Sequence, residues 1–149
     1  MRRVAFVVCL LSLSPIVRAD SLPIGTWVRR DPQQGIRLTM TVEAVGTGRK
    51  LTYKVVGPDA PGGIVSTVLT QLDGKDVPVL ANGKPTGQTM AIRTIGSRHT
   101  STVLKFQGKV TGTSKSEISP DGKVLKVETT ATAGTNGKVA TSVEYWDKK

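Results

Sequence analysis

Apolar and polar residues alternate with a period of two along most of the chain beyond residue 36, and this pattern restricts what the chain can fold into. Neighbouring side chains of a β-strand point to opposite faces of the sheet, so alternation is typical of a strand with one buried face. Such runs lie within residues 37–43, 51–55, 90–93, 125–128 and 139–145, and further strand-like runs lie near 25–30, 64–72, 76–80, 99–107 and 109–118. Residues 20–149 contain no amphipathic helical pattern with capping residues. The sequence therefore predicts an all-β domain of about eight to ten strands.

Residues that favour tight turns separate these runs. Gly and Asn readily adopt the positive φ that two-residue hairpin turns require. Candidate turns are Gly46-Thr47-Gly48, Asp73-Gly74, Asn82-Gly83, Pro120-Asp121-Gly122 and Asn136-Gly137, and residues 58–63 predict a wider, mobile loop. Consecutive hairpins without helices predict an antiparallel up-and-down sheet. Closing that sheet into a barrel removes its exposed edges, so we expect a β-barrel, with a β-sandwich as the alternative.

The first 19 residues have the layout of a secretory signal peptide. Arg2-Arg3 precedes an apolar run from Val4 to Leu13, and Val17-Arg18-Ala19 places small residues at the −3 and −1 positions of a cleavage site before Asp20. The run is too short to span a bilayer core about 30 Å thick. We therefore expect residues 1–19 to be a signal peptide and residues 20–149 to be a single domain. The protein is then secreted or periplasmic and has no transmembrane segment.

Removal of residues 1–19 leaves a basic chain without cysteine. The whole sequence has 21 Lys plus Arg, 11 Asp plus Glu and one Cys, and three of the Arg and the Cys belong to the predicted signal peptide. The 130 residues that remain carry a net charge of +7. A chain without thiols forms no disulfide, so its stability has to come from its apolar core.

The sequence contains no recognisable catalytic or metal-binding motif. His99 is the only histidine, so the chain lacks both a His cluster for a metal ion and a second histidine for a catalytic dyad. No Gly-x-Ser-x-Gly motif occurs, and most aspartates lie in candidate loops and turns. We therefore predict no catalytic residue, no metal ligand and no cofactor, and we expect a protein that is not an enzyme.

Gly25-Thr26-Trp27, at the start of the first predicted strand, resembles the Gly-x-Trp motif that opens lipocalin barrels. Later segments resemble a group of small secreted bacterial proteins with a lipocalin-like barrel and no assigned reaction: residues 73–79, 90–95, 112–114, 119–125 and 143–149. The resemblance implies a barrel in which Trp27 packs across the closed end, often covered by a basic side chain of the last strand. The chain lacks the Thr-Asp-Tyr motif, the disulfide and the C-terminal helix of typical lipocalins.

The two tryptophans are expected to contribute unequally to stability. Gly25 allows the first strand to begin tightly, and Trp27 projects from that strand into the predicted core. Trp146 lies beside the C-terminus, where free chain ends fray. We therefore expect Trp27 to be the more important side chain.

Two binding functions are compatible with these features. A barrel interior can hold a small apolar ligand, and the candidate lining comprises Met40, Tyr53, Val55, Met90, Ile92, Leu104 and Phe106. These side chains could instead fill the core, and that alternative stays open. The second function is binding of anionic envelope polymers or lipid headgroups by the dispersed basic side chains. Because few aromatic residues are available to stack on bases, we expect no nucleic-acid binding, and we expect a monomer.

Protein recovered from the extracytoplasmic fraction is expected to begin at Asp20, because Val17-Arg18-Ala19 is the best cleavage site and Pro15 ends the apolar run. Intact-mass spectrometry measures the N-terminus directly. A chain that retains Met1, or that carries a lipid on Cys9, would contradict the signal-peptide interpretation.

Overall fold

The chain folds into a closed antiparallel β-barrel. The computed structural model describes residues 21–32, 34–132 and 138–149, and this part of the chain contains no helix. Its ten strands are β1 (Gly25–Arg29), β2 (Arg37–Val45), β3 (Gly48–Gly57), β4 (Ala60–Thr70), β5 (Asp73–Ala81), β6 (Lys84–Gly96), β7 (His99–Phe106), β8 (Lys109–Ile118), β9 (Val124–Ala131) and β10 (Ala140–Lys148). Each strand pairs with the next, and β1 also pairs with β10, which closes the sheet. The predicted up-and-down barrel is confirmed and the sandwich alternative is wrong.

Several hairpin turns lie where the sequence predicts them. Gly46-Thr47 joins β2 to β3, and Asn82-Gly83 joins β5 to β6 with φ values of 49° and 75°. Positive φ at both central residues defines the hairpin turn whose twist matches that of the flanking strands. Pro120-Asp121-Gly122 lies between β8 and β9, where the Ser119 hydroxyl accepts a hydrogen bond from the Val124 N–H at 2.9 Å. The predicted turn at Asn136-Gly137 and the predicted signal peptide lie outside the described residues.

Two predicted connections are wrong. Residues 58–63 do not form a wide loop, because β3 ends at Gly57 and β4 begins at Ala60. The turn between β4 and β5 lies at Gln71-Leu72, whereas Asp73-Gly74 belongs to β5, where the register with β6 shifts. Thr70 holds the actual turn, since its Oγ1 accepts a hydrogen bond from the Leu72 N–H at 3.0 Å. Gly74 therefore lies at an irregularity within β5 and not in a hairpin turn.

The segment before β1 covers one end of the barrel, here termed the closed end. Residues 21–24 reach from β1 to β6, which is five strands away in either direction around the barrel. Ser21 Oγ lies 2.9 Å from Thr94 Oγ1 of β6, and the Leu22 carbonyl accepts a hydrogen bond from Arg49 Nε at 3.3 Å. The buried apolar core comprises Leu22, Trp27, Met40, Val42, Leu51, Val68, Val79, Ile92, Ile118, Leu125 and Trp146. Most of these residues belong to the half of their strand that is nearer the closed end.

Trp27 is completely buried in this core, at 0% exposure. Its Nε1 donates a hydrogen bond to the Pro23 carbonyl at 3.4 Å, and Lys148 Nζ of the last strand lies 5.7 Å from the ring centroid. A cation at this distance is attracted by the face of an indole. Gly25 has a φ of 142°, and a Cβ at this position would lie only 2.7 Å from Lys148 Cε. A side chain at residue 25 would therefore displace the lysine that covers Trp27.

The C-terminal end does not fray as the sequence led us to expect. Trp146 is 4% exposed and belongs to the same core as Trp27. The Lys148 N–H donates to the Lys123 carbonyl and the Lys149 N–H to the Thr26 carbonyl, both at 2.9 Å. The last strand is therefore hydrogen-bonded on both sides. Because the expected minor role of Trp146 depended on fraying of this end, that expectation has no physical basis in the structure.

Trp27→Ala is expected to lower the free energy of unfolding by about 3–5 kcal/mol, because it empties the centre of the core. Trp146→Ala is expected to cost at least about 2 kcal/mol for the same reason. Tyr145→Ala is the matched control, since Tyr145 neighbours Trp146 but is 40% exposed, and should cost about 1 kcal/mol or less. Urea unfolding measures all three. A loss below about 1 kcal/mol for Trp27→Ala would contradict its place in the core.

Candidate functional site

A cavity of about 240 Å³ lies inside the barrel next to the core. Its wall is formed largely by residues two positions apart on one strand, because alternate side chains of a strand face the interior. The apolar lining is Leu22, Leu38, Met40, Leu51, Tyr53, Met90, Ile92, Leu104, Leu125, Val127 and Trp146, and the polar lining is Thr100, Thr102, Ser114, Ser116 and Glu144. Pockets for drug-sized ligands measure about 300–1,000 Å³. The cavity is therefore suited to a smaller molecule.

A second space of about 310 Å³ adjoins the cavity and shares Tyr53, Met90 and Leu104 with it. Lys105 and Thr111 also line this second space, and both lie near the end of the barrel opposite the closed end. The shared residues place Tyr53 at the boundary between the two spaces.

Five of the seven predicted lining residues border the cavity: Met40, Tyr53, Met90, Ile92 and Leu104. Val55 and Phe106 border neither of the two spaces. Val55 lies where the register between β3 and β4 shifts. Phe106 ends β7, is 44% exposed and packs against Gly87, where an added Cβ would lie 3.3 Å from the ring. Alternation indicates which face of a strand is inward, but not how far along the strand the cavity extends.

The contribution of β10 to the cavity was not predicted from the sequence. Glu144 and Trp146 face inward, whereas Val143 and Tyr145 are exposed on the outer face. This is the reverse of what apolar alternation in residues 139–145 indicates. The strand register explains why Glu144 and Trp146 face inward. Trp146 is paired with Leu125 and Glu144 with Val127, and both partners are inward residues of β9.

Most polar side chains of the cavity wall form hydrogen bonds with a neighbouring strand. Thr100 Oγ1 and Ser116 Oγ form one such bond between β7 and β8, and Ser114 Oγ lies 2.8 Å from Thr129 Oγ1 of β9. Glu144 Oε1 accepts a hydrogen bond from Arg29 Nη1 at 3.2 Å, an ion pair that joins β10 to β1. Polar groups removed from water need such partners. These groups are therefore satisfied without a ligand.

Two hydrogen-bond donors of the cavity-lining residues have no partner among the described residues. The indole Nε1 of Trp146 is buried and unpaired, whereas that of Trp27 has the Pro23 carbonyl. The Tyr53 hydroxyl likewise forms no hydrogen bond within the described part of the chain. Protein atoms cover the Trp146 nitrogen completely. Because donors of this kind are usually paired in folded proteins, the Tyr53 hydroxyl is the candidate for contact with a bound molecule.

Tyr53 carries its proton at neutral pH. Burial raises the pKa of Tyr53 to about 12, and the nearby carboxylate of Glu144 adds to the increase. A protonated phenol donates a hydrogen bond. The cavity thus combines an apolar wall, a neutral phenol, an unpaired indole N–H and one carboxylate.

The described residues provide neither a metal cluster nor a membrane-spanning helix. No three His, Cys, Asp or Glu side chains in residues 21–32, 34–132 and 138–149 are placed to hold a metal ion. His99 lies away from the cavity lining, with its Nε2 3.6 Å from Glu117 Oε1. In the same part of the chain, no helix has the length and apolar character needed to cross a bilayer.

Comparisons with protein-family models, with curated proteins and with solved structures found no match to this chain. The fold defines the class of protein as a closed ten-stranded antiparallel β-barrel. Its function therefore has to be inferred from the cavity itself.

Tyr53→Phe is expected to remove a pH dependence of stability above pH 10. The unfolded phenol ionises near pH 10, whereas the folded one ionises near pH 12. Between these values the unfolded state binds fewer protons than the folded state, so the free energy of unfolding falls as the pH rises. The wild-type protein should lose about 2 kcal/mol more than Tyr53→Phe between pH 9 and pH 11.5, as measured by urea unfolding. Equal losses would contradict a pKa of about 12 for Tyr53 in the folded protein.

Proposed function

We propose that this chain is a non-enzymatic binding protein that holds a small apolar molecule inside a lipocalin-like barrel. The observation that carries the proposal is the cavity of about 240 Å³ inside a closed barrel, lined mainly by apolar side chains. Protein interiors are close-packed, so open space of this size inside a barrel is unusual. A ligand that displaces water from the cavity removes apolar surface from water, and this stabilises the folded barrel.

The closed end supports the lipocalin-like part of the proposal. Trp27 lies buried there, with Lys148 of the last strand next to its ring. A basic side chain over this tryptophan is what the resemblance to lipocalins implies. Leu22, from the segment that crosses the closed end, also lines the cavity. Ligand access from this side is therefore obstructed, and a molecule reaches the cavity most directly from the opposite end.

The proposed location is outside the cytoplasm, in the periplasm or beyond the cell. Its support is the signal-peptide pattern in residues 1–19 and the absence of cysteine from residues 20–149. A chain without thiols is insensitive to the redox state of its compartment.

Binding of anionic envelope polymers, the second interpretation of the sequence, has weaker support. Basic side chains on the outer surface pair with carboxylates, for example Lys105 with Asp76 and Lys126 with Glu128, both at 2.6 Å. Such pairs lower the positive potential that a polyanion would meet. The interior cavity therefore provides the better candidate for function.

Thr102→Phe is expected to weaken binding of 1-naphthylamine, a small uncharged apolar dye, by at least about tenfold. Thr102 lines the cavity, so a larger side chain at this position occupies the space that the dye would take. The emission of the dye shifts to shorter wavelength in an apolar site, and a fluorescence titration gives its dissociation constant.

Ser101→Phe is the matched control, because residue 101 neighbours Thr102 on β7 and points to the outer face. It should change the affinity by less than about twofold. Equal affinity of both variants, or no saturable binding by the wild-type protein, would contradict ligand binding in the barrel. Urea unfolding of both variants checks that the barrel itself is retained.

A further inference from the structure

The cavity limits the size of its ligand. Its volume of about 240 Å³ corresponds to about eight water molecules at the liquid volume of about 30 Å³ each. A molecule with roughly ten non-hydrogen atoms fills such a space, and a larger one has to extend into the adjoining space beyond Tyr53. The natural ligand class is therefore small or slender.

The unpaired donors limit the chemistry of the ligand. Tyr53 and Trp146 both line the cavity, and neither the phenol O–H nor the indole N–H has an acceptor among the described residues. Elsewhere the fold supplies such partners, as Pro23 does for Trp27 and as Ser116 does for Thr100. Protein atoms cover the Trp146 nitrogen completely, so the donor that is left for a ligand is the Tyr53 hydroxyl. A ligand with its own acceptor oxygen would satisfy this hydroxyl, whereas a hydrocarbon would leave it unpaired.

The charge of the wall limits the ligand further. Glu144 is the one charged residue among those that line the cavity. Its partner Arg29 does not border the cavity, although both residues border a smaller space at the end of β1. The lysine of the adjoining space, Lys105, is paired with Asp76 at 2.6 Å. An anionic ligand in the cavity would therefore lie against a carboxylate with no unpaired cation among the described residues that line either space, which is unfavourable at low dielectric.

From these three limits we infer that the ligand is an uncharged, small apolar molecule with a carbonyl or similar acceptor, bound through the Tyr53 hydroxyl, and that carboxylate anions are excluded. The inference rests on the proposed function, since it specifies what the proposed cavity binds.

Acetophenone, ethylbenzene and benzoate are suitable probes because they are similar in size and differ in the group that the wall would recognise. Isothermal titration calorimetry measures the affinity of each probe for the wild-type protein and for Tyr53→Phe, which removes only the hydroxyl. Tyr53→Phe should weaken acetophenone binding by about tenfold, a factor equivalent to 1.4 kcal/mol, and should leave ethylbenzene binding within about twofold. Ethylbenzene is the control for any change in cavity shape.

Benzoate tests the exclusion of anions. It should bind to the wild-type protein at least about tenfold more weakly than acetophenone. Glu144→Gln should raise the affinity for benzoate relative to the affinity for acetophenone, because the variant removes the negative charge and keeps the length of the side chain. Tighter binding of benzoate than of acetophenone to the wild-type protein would overturn the inference.

Trp146 can be observed without a substitution in the cavity. The chain has two tryptophans, so its nitrogen–proton correlation spectrum contains two indole signals. Acetophenone should move the indole signal of Trp146, because this residue lines the cavity, and leave that of Trp27 in place, because Trp27 does not line it. A Trp146→Phe variant identifies which signal belongs to which residue.

The outcomes separate this inference from the proposed function. An affinity for acetophenone that Tyr53→Phe leaves unchanged, as it does the affinity for ethylbenzene, would overturn the inference and leave the binding function intact. A wild-type barrel that binds no uncharged probe, including the naphthylamine dye, would overturn both.

Discussion

The barrel depends on the pairing of its shortest strand with its last. Strand β1 has five residues, yet it pairs with both β2 and β10, with Trp27 opposite Lys148 and Arg29 opposite Trp146. Without this pairing, β2 and β10 would each present an open edge, which favours aggregation. Side chains reinforce the same seam, since Arg30 forms two hydrogen bonds to Asp147, at 2.7 and 3.1 Å. An exposed ion pair contributes little by itself, so the backbone pairing and the buried tryptophans carry most of the closure.

The same seam builds part of the cavity wall, and this connects stability with binding. Trp146 belongs to the core and also lines the cavity, and Glu144, two residues before it, forms the ion pair with Arg29 of β1. A ligand that binds the folded barrel and not the unfolded chain stabilises the barrel according to its concentration and affinity. Glu144 and Trp146 of β10 contact or pair with Arg29 of β1. A ligand in contact with these residues therefore stabilises the pairing of β1 with β10, which closes the barrel.

The sequence predicted the features that depend on near neighbours. Alternation identified the strands and five of the seven proposed lining residues, because the direction of a side chain in a strand is set by local geometry. It could not predict that Glu144 faces inward, since the partner of this carboxylate, Arg29, lies 115 residues away in the chain. Nor could it separate a hairpin turn from an irregular strand at Asp73-Gly74, because both use a glycine with positive φ. The hydrogen bond from Leu72 to Thr70 decides that case.

The origin of the cavity lies in the small inward residues of β7 and β8. Facing positions there carry Thr100, Thr102, Ser114 and Ser116, whereas the inward positions of β2, β3 and β6 carry leucine, methionine, isoleucine and tyrosine. Larger apolar residues in β7 and β8 would fill the barrel, but these hydroxyl side chains are too short to do so. Their polarity is tolerated because Thr100 bonds Ser116 and Ser114 bonds Thr129 across neighbouring strands. A composition rich in threonine indicates strands in general. Here the threonine and serine side chains also keep space open on one side of the interior. The opposite wall is apolar, and its phenol and indole donors have no acceptor within the described chain.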